Sequence, residues 1–88
     1  MKIVAKPIKM IAVFEYDDRP PLPCKFKMRE ESGEEIVIVV DQCLTTKKSK
    51  IAGKECIIYE CQSVIRGIER RYELKYIILS CRWQLYKF

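Results

Sequence analysis

The sequence predicts an all-β protein: a small antiparallel meander of five to six strands curled into a barrel. Three observations carry that prediction. Strict alternation recurs, most plainly in CKFKMR (24–29), where Cys24, Phe26 and Met28 share one parity and Lys25, Lys27 and Arg29 the other. Successive side chains leave a pleated strand on opposite faces, so this is the pattern of a half-buried strand. Turn signals arrive every 8 to 15 residues, the spacing of short strands joined tightly. The connections are also too short for the crossover helices that parallel strands need.

The elements follow in chain order. Ile8–Phe14 (IKMIAVF) is apolar with β-branched content and reads as a strand. DDRPPLP (17–23) is a loop, because its three prolines remove donors and hold the preceding residues extended. CKFKMR is the next strand, closed by the charged Ser-Gly turn EESGEE at 30–35. Ile36–Val40 (IVIVV) is apolar on both parities, which predicts a central strand covered on both faces. DQCL then leads into a lysine-rich loop at 45–54. In KECIIYECQSV (54–64) a strand puts Ile57, Tyr59, Cys61 and Ser63 on one face, and Arg66 and Gly67 turn the chain. Along Ile68–Ile78 the residues Ile68, Tyr72, Leu74, Tyr76 and Ile78 share a parity, with Arg70 the exception. CRWQLYKF closes the chain, setting Cys81, Trp83 and Leu85 against Arg82, Gln84 and Tyr86.

Residues 64–79 also admit a helix, since Ile65, Ile68, Tyr72, Tyr76 and Leu79 fall at helical offsets. Gly67 would cost about 1 kcal/mol inside it, and tyrosine and isoleucine favour pleated surfaces, so a strand is expected. A single open sheet of this size would leave apolar residues and two edges uncovered. Curling into an SH3-like or OB-like barrel covers both.

Eighty-eight residues make one domain, 1–88, and folding at this size buries only about 60% of the unfolded surface. With 49% apolar and 33% charged residues the chain is globular rather than disordered. Its longest uncharged run is six residues, Tyr76–Cys81, against about 20 for a membrane span. Lys2, Lys6 and Lys9 interrupt any signal-peptide core. A soluble, cytoplasmic protein with no membrane partner is expected. Five cysteines without a CxxC pair, in a chain without histidine, offer neither a paired disulfide framework nor a zinc site. Cys56 and Cys61 would lie on opposite faces of one strand. Reduced, buried thiols are expected, with no metal and no cofactor.

Catalytic groups are few. Cys56, just after Lys54, is the one nucleophile candidate, and it has no imidazole to activate it. Asp17 and Asp18 form a carboxylate pair, but their place before Arg-Pro-Pro suits turn geometry. KKSKIAGKE contains Gly53-Lys54 yet lacks the first glycine of GxxxxGK and has Glu55 after the lysine, which excludes a phosphate-binding loop of that type. The protein is not expected to be an enzyme.

Charge is more informative. The net +5 divides into +1 over residues 1–23, −2 over 24–46, +3 over 47–55 and +3 over 56–88. Lys47, Lys48, Lys50 and Lys54 read either as a cationic arm able to lie along a phosphate backbone or as a solvated hairpin loop. Lys25, Lys27 and Arg29 form a second row, which a neighbouring strand would extend with Lys9 or with Arg71 and Lys75. Glu30, Glu31, Glu69 and Glu73 are close enough in sequence to offset it. Arg82 and Tyr86, with Phe88 on the same parity, make a mixed cationic and aromatic face of the kind on which small barrels bind single strands. Trp83, Tyr72 and Tyr76 sit on core parities, so they are expected to fill the barrel rather than to stack on bases.

An early strand, a proline loop leading into P-x-x-F (Pro23 to Phe26), a hairpin, a lysine loop ending in Ala52-Gly53, YELKY (72–76) and C-x-W-x-L (Cys81 to Leu85) together resemble a group of short bacterial β-proteins of unknown function. More distantly, the closing pattern is similar to small β-domains encoded beside lesion-bypass DNA polymerases. The resemblance implies the barrel and a bacterial origin. Its motifs are mostly core residues, so it assigns no site.

The expected function is a non-enzymatic binding module contacting nucleic-acid phosphates through the lysine-rich loop and the outward cations. The alternative is a protein-interaction or homodimeric subunit using an exposed strand edge, suggested by the apolar content of so small a domain.

Overall fold

The computed structural model describes residues 1–88 as eight strands and no helix: β1 (Ile3–Pro7), β2 (Lys9–Val13), β3 (Leu22–Arg29), β4 (Glu35–Val39), β5 (Gln42–Ile51), β6 (Lys54–Ile65), β7 (Ile68–Ile77) and β8 (Arg82–Lys87). They form two antiparallel sheets, one of five strands in the order β1-β8-β7-β6-β5 and one of three in the order β2-β3-β4. The strands are thus all antiparallel, as expected, but their ladders do not close into one continuous barrel. Eight strands appear in place of five or six because β1 adds one and because most of the segment expected as a lysine-rich loop belongs to β5, which begins after the chain turns at Val40 and Asp41. The chain also bends at Ile8, between β1 and β2.

Alternation fixes which residues are inside. On β3, Phe26 and Met28 are buried and Lys25, Lys27 and Arg29 exposed, as CKFKMR predicts. On β6, Ile57, Tyr59, Cys61 and Ser63 face the core, and β7 and β8 add Tyr72, Leu74, Tyr76, Trp83 and Leu85. Segment 64–79 is thus strand, and its glycine is the turn: Arg66 and Gly67 have φ of 51° and 78°, and Ala52 and Gly53 have 51° and 79°. Two successive positive values are the type I′ geometry that matches the twist of a two-residue hairpin.

Three expectations fail here. IVIVV is an edge strand rather than a central one: β4 pairs only with β3, and Val37 and Val39 are each 55% exposed. Apolar residues on both parities show that a strand tolerates burial, not that a neighbour is present. The lysine-rich segment is not a loop, since β5 pairs with β6 from Gln42↔Gln62 through Ile51↔Lys54. Nor are all the thiols buried: Cys56 and Cys61 are, Cys24 and Cys43 are partly so, and Cys81 is exposed in the β7–β8 turn.

The two sheets are joined across the core by a polar contact. Ser63 Oγ donates to Val39 O at 2.6 Å and lies 2.5 Å from the Tyr72 hydroxyl, which must then donate to it. Ser63 and Tyr72 are both 0% exposed. Ser63→Ala is expected to leave that hydroxyl and carbonyl unpaired and to cost about 1–3 kcal/mol in a denaturant titration. A neutral result would mean that the contact does not tie the sheets.

Candidate nucleic-acid interface

The sequence-predicted cations occupy three places, and the structure brings only one group together. On β5 and β6 the register splits the lysines. Lys48 lies opposite Ile57 on the core-facing side, and Lys50 opposite Glu55. Lys47 lies opposite Ile58 on the outer side, and Lys54 opposite Ile51 at the hairpin end. A strand that alternates cannot present these four to one phosphate backbone.

Arg82 and Tyr86 sit on the outer face of the five-stranded sheet. There the Lys75 and Lys87 Nζ atoms lie 4.6 and 5.7 Å from the Tyr86 ring centroid. Phe88 does not join them. Between Glu73 and Leu74 the register with β8 slips, Leu74 pairing with Leu85 but Glu73 with Lys87. This bulge gives β8 an extra residue and reverses parity after it. Phe88 instead packs against the core, 6.4 Å from the Tyr72 ring, with Arg70 over it at 3.7 Å. Glu73, 4.0 Å from Lys87, and Glu60, its register partner on β6, also offset the positive charge of this face.

The outer face of β2, β3 and β4 differs. Lys27 lies directly between Lys9 and Val37, Lys25 between Ile11 and Val39, and Arg29 beside Glu35. Four cations thus share one small sheet face with one carboxylate, and Lys9 Nζ is 3.6 Å from Glu35 Oε2. Ile11, Val37 and Val39 stand exposed among them. A groove of about 400 Å³ runs between Lys9, Lys25, Lys27, Ile11 and Val37. Lys9 completes this face as the sequence allowed. Arg71 and Lys75 do not, because they belong to the other sheet. The exposed valines were not foreseen, and their only sequence signal was that IVIVV alternates with nothing polar.

Compared with family models, curated proteins and solved structures, the chain matches none.

The candidate chemical groups are tied up elsewhere. Asp17 is bound at both carboxylate oxygens by Arg19 Nε, at 3.0 and 2.9 Å, and that hydrogen bond lowers its pKa below the usual carboxylate value. Burial raises the pKa of the Cys61 thiol, with Cys43 adding to the shift, and burial likewise raises Tyr59 and Tyr72. Groups that hold their protons more tightly when folded stabilise the native state below their ordinary values, here 9.0 for the thiol and 10.0 for the tyrosines, and the contribution is lost as pH rises beyond them. Stability is expected to fall steadily above about pH 9–10, with Tyr59 and Tyr72 ionising only as the chain unfolds. Absorbance and circular dichroism followed along an alkaline titration would test this. Ionisation of all five tyrosines before any loss of structure would contradict it.

Proposed function

We propose that this protein is a non-enzymatic binding module that contacts nucleic-acid phosphates through the basic face of β2 and β3, with Lys9, Lys25, Lys27 and Arg29 as the contacting groups. The observation that carries the reading is the direct opposition of Lys9 and Lys27. Like charges placed opposite each other on adjacent strands cost stability, so a folded domain that keeps such a pair in the open has a use for the concentrated charge. Lys47, Lys48, Lys50, Lys54 and Arg82 contribute to the overall positive field rather than to this face, and Tyr86 lies away from it on β8 of the other sheet.

The same reading treats the two sheets as halves of one small SH3-like or OB-like barrel. At one corner Ile8 N donates to Trp83 O. At the other Val40 N donates to Cys24 O and Asp41 N to Gln62 O, so the chain bonds to both sheets where it turns. It also groups the protein with the short bacterial β-proteins it resembles, because Tyr72, Leu74 and Tyr76 of YELKY and Trp83 and Leu85 of C-x-W-x-L supply buried positions on β7 and β8. Five unpaired thiols suit the reducing cytoplasm.

Fluorescence anisotropy against labelled single-stranded DNA, single-stranded RNA and duplex DNA, at low and near-physiological salt, tests the function. Micromolar binding that weakens steeply with salt is expected. No binding at low salt would overturn it. One observation favours a second reading, a protein partner with an acidic surface: Ile11, Val37 and Val39 expose apolar area between the cations.

A further inference from the structure

An edge strand displays unpaired N–H and C=O groups, which template the addition of another strand. The register shows which groups of β4 are free. Val40 N donates to Cys24 O and Glu30 N to Glu34 O, in the same alignment as Phe26↔Ile38 and Met28↔Ile36. Bonded and non-bonded pairs alternate along an antiparallel ladder. Ile36 and Ile38 therefore turn their main-chain groups toward β3, while Glu35, Val37 and Val39 turn theirs outward. Val39 O is engaged by Ser63 Oγ. The remaining groups of these three residues face an edge on which β4 has no ladder partner, β6 reaching it through Ser63 at Val39.

Other sheet edges carry features that discourage pairing. β5 presents Lys47, Lys48 and Lys50. β1 is broken by a bulge between Ile3 and Lys6, with Ala5 at φ 44°, and ends in Pro7. β2 is bulged between Ile11 and Ala12. β4 pairs without interruption and shows two exposed valines.

We propose that β4 is a self-association edge, at which two copies of this chain pair β4 against β4, antiparallel about Val37, and join their three-stranded sheets into one of six strands. The edge is self-complementary under a two-fold axis. Val37 meets Val37 of the other copy, and each Glu35 meets the other copy's Val39. About four main-chain hydrogen bonds form without competing for the Val39 carbonyl. No like charges face each other across the new boundary. The nearest opposed cations, the two Lys27 side chains, stand three strand spacings apart, about 14 Å, which exceeds the roughly 8 Å screening length at physiological salt. The proposal does not rest on nucleic-acid binding, although pairing would set the two basic faces side by side.

Sedimentation velocity from micromolar to near-millimolar protein, at physiological salt, tests it. The wild-type chain is expected to pass from a 10.5 kDa species to one of twice the mass. Val37→Pro removes only an outward-facing N–H, the one place within a strand where proline is tolerated, and Val37→Lys adds a charge of the kind that blunts natural edges. Both variants are expected to stay monomeric with an unchanged circular dichroism spectrum, and if the proline variant unfolds the lysine variant decides. Ile11→Lys, on the face rather than the edge, is expected to dimerise like wild type. A wild-type monomer throughout, a dimer that survives Val37→Lys, or one lost in Ile11→Lys would each overturn the proposal.

Discussion

Replacing Leu74 with alanine is expected to remove about 2–5 kcal/mol of stability. Leu74 is 0% exposed on β7, with Tyr59 of β6 and Leu85 of β8 as its register partners. Around it the core is largely aromatic: Phe26, Tyr59, Tyr72, Tyr76 and Trp83 are all buried. Rings held edge to face or tilted at 4.8–5.8 Å, as in Phe26–Tyr72, Tyr59–Trp83 and Tyr76–Trp83, cannot slide into a vacated space as a flexible side chain would. The hole then persists, and both transfer and cavity terms are lost. Only 15 of 88 residues are buried, so few other contacts compensate. In a domain of this size each kcal/mol lowers the melting midpoint by about 4–8 °C. Leu79→Ala, at a position 97% exposed, is expected to change stability by less than about 0.5 kcal/mol. Thermal and denaturant melts of the two variants give the comparison, and a Leu74→Ala loss below about 1 kcal/mol would mean that the site can collapse.

The contrast between those two leucines also marks what the sequence discloses. Leu74 lies in YELKY, where alternation puts it inside whatever pairs with it. The same logic located β3 and the buried side of β6, because a period of two depends only on the strand itself. What alternation does not encode is the neighbour. KKSK has no apolar parity and reads as a loop, yet β6 holds it in register, so pairing overrides local composition. IVIVV reads as doubly covered, yet β4 pairs in a ladder with β3 alone. Counting from Arg82 puts Phe88 outward, and a one-residue bulge against β7 reverses it. The basic face followed the same rule. Its β3 row was visible in CKFKMR, but the opposition of Lys9 to Lys27 is a fact of register and could not be chosen over Arg71 or Lys75 from sequence.

Register also separates local contact from total charge. Neutralising Lys9 and Lys27 together, as Lys9→Gln with Lys27→Gln, is expected to weaken nucleic-acid binding about tenfold near physiological salt and to reduce the slope of log affinity against log salt by about 2, one counterion release per lost phosphate contact. The same substitutions remove the opposed cations, so stability should rise by a few tenths of a kcal/mol. The Lys9–Glu35 pair they sacrifice is exposed, and such pairs contribute little. A variant that binds worse while melting higher is the signature of charge kept for function at a structural cost. Lys47→Gln with Lys48→Gln lowers the net charge equally, from +5 to +3, but acts on opposite faces of β5. It should leave the slope nearly unchanged. Equal weakening by the two pairs would show that the net positive field, and not the β2–β3 face, holds the phosphates, and the assignment of the site would fall.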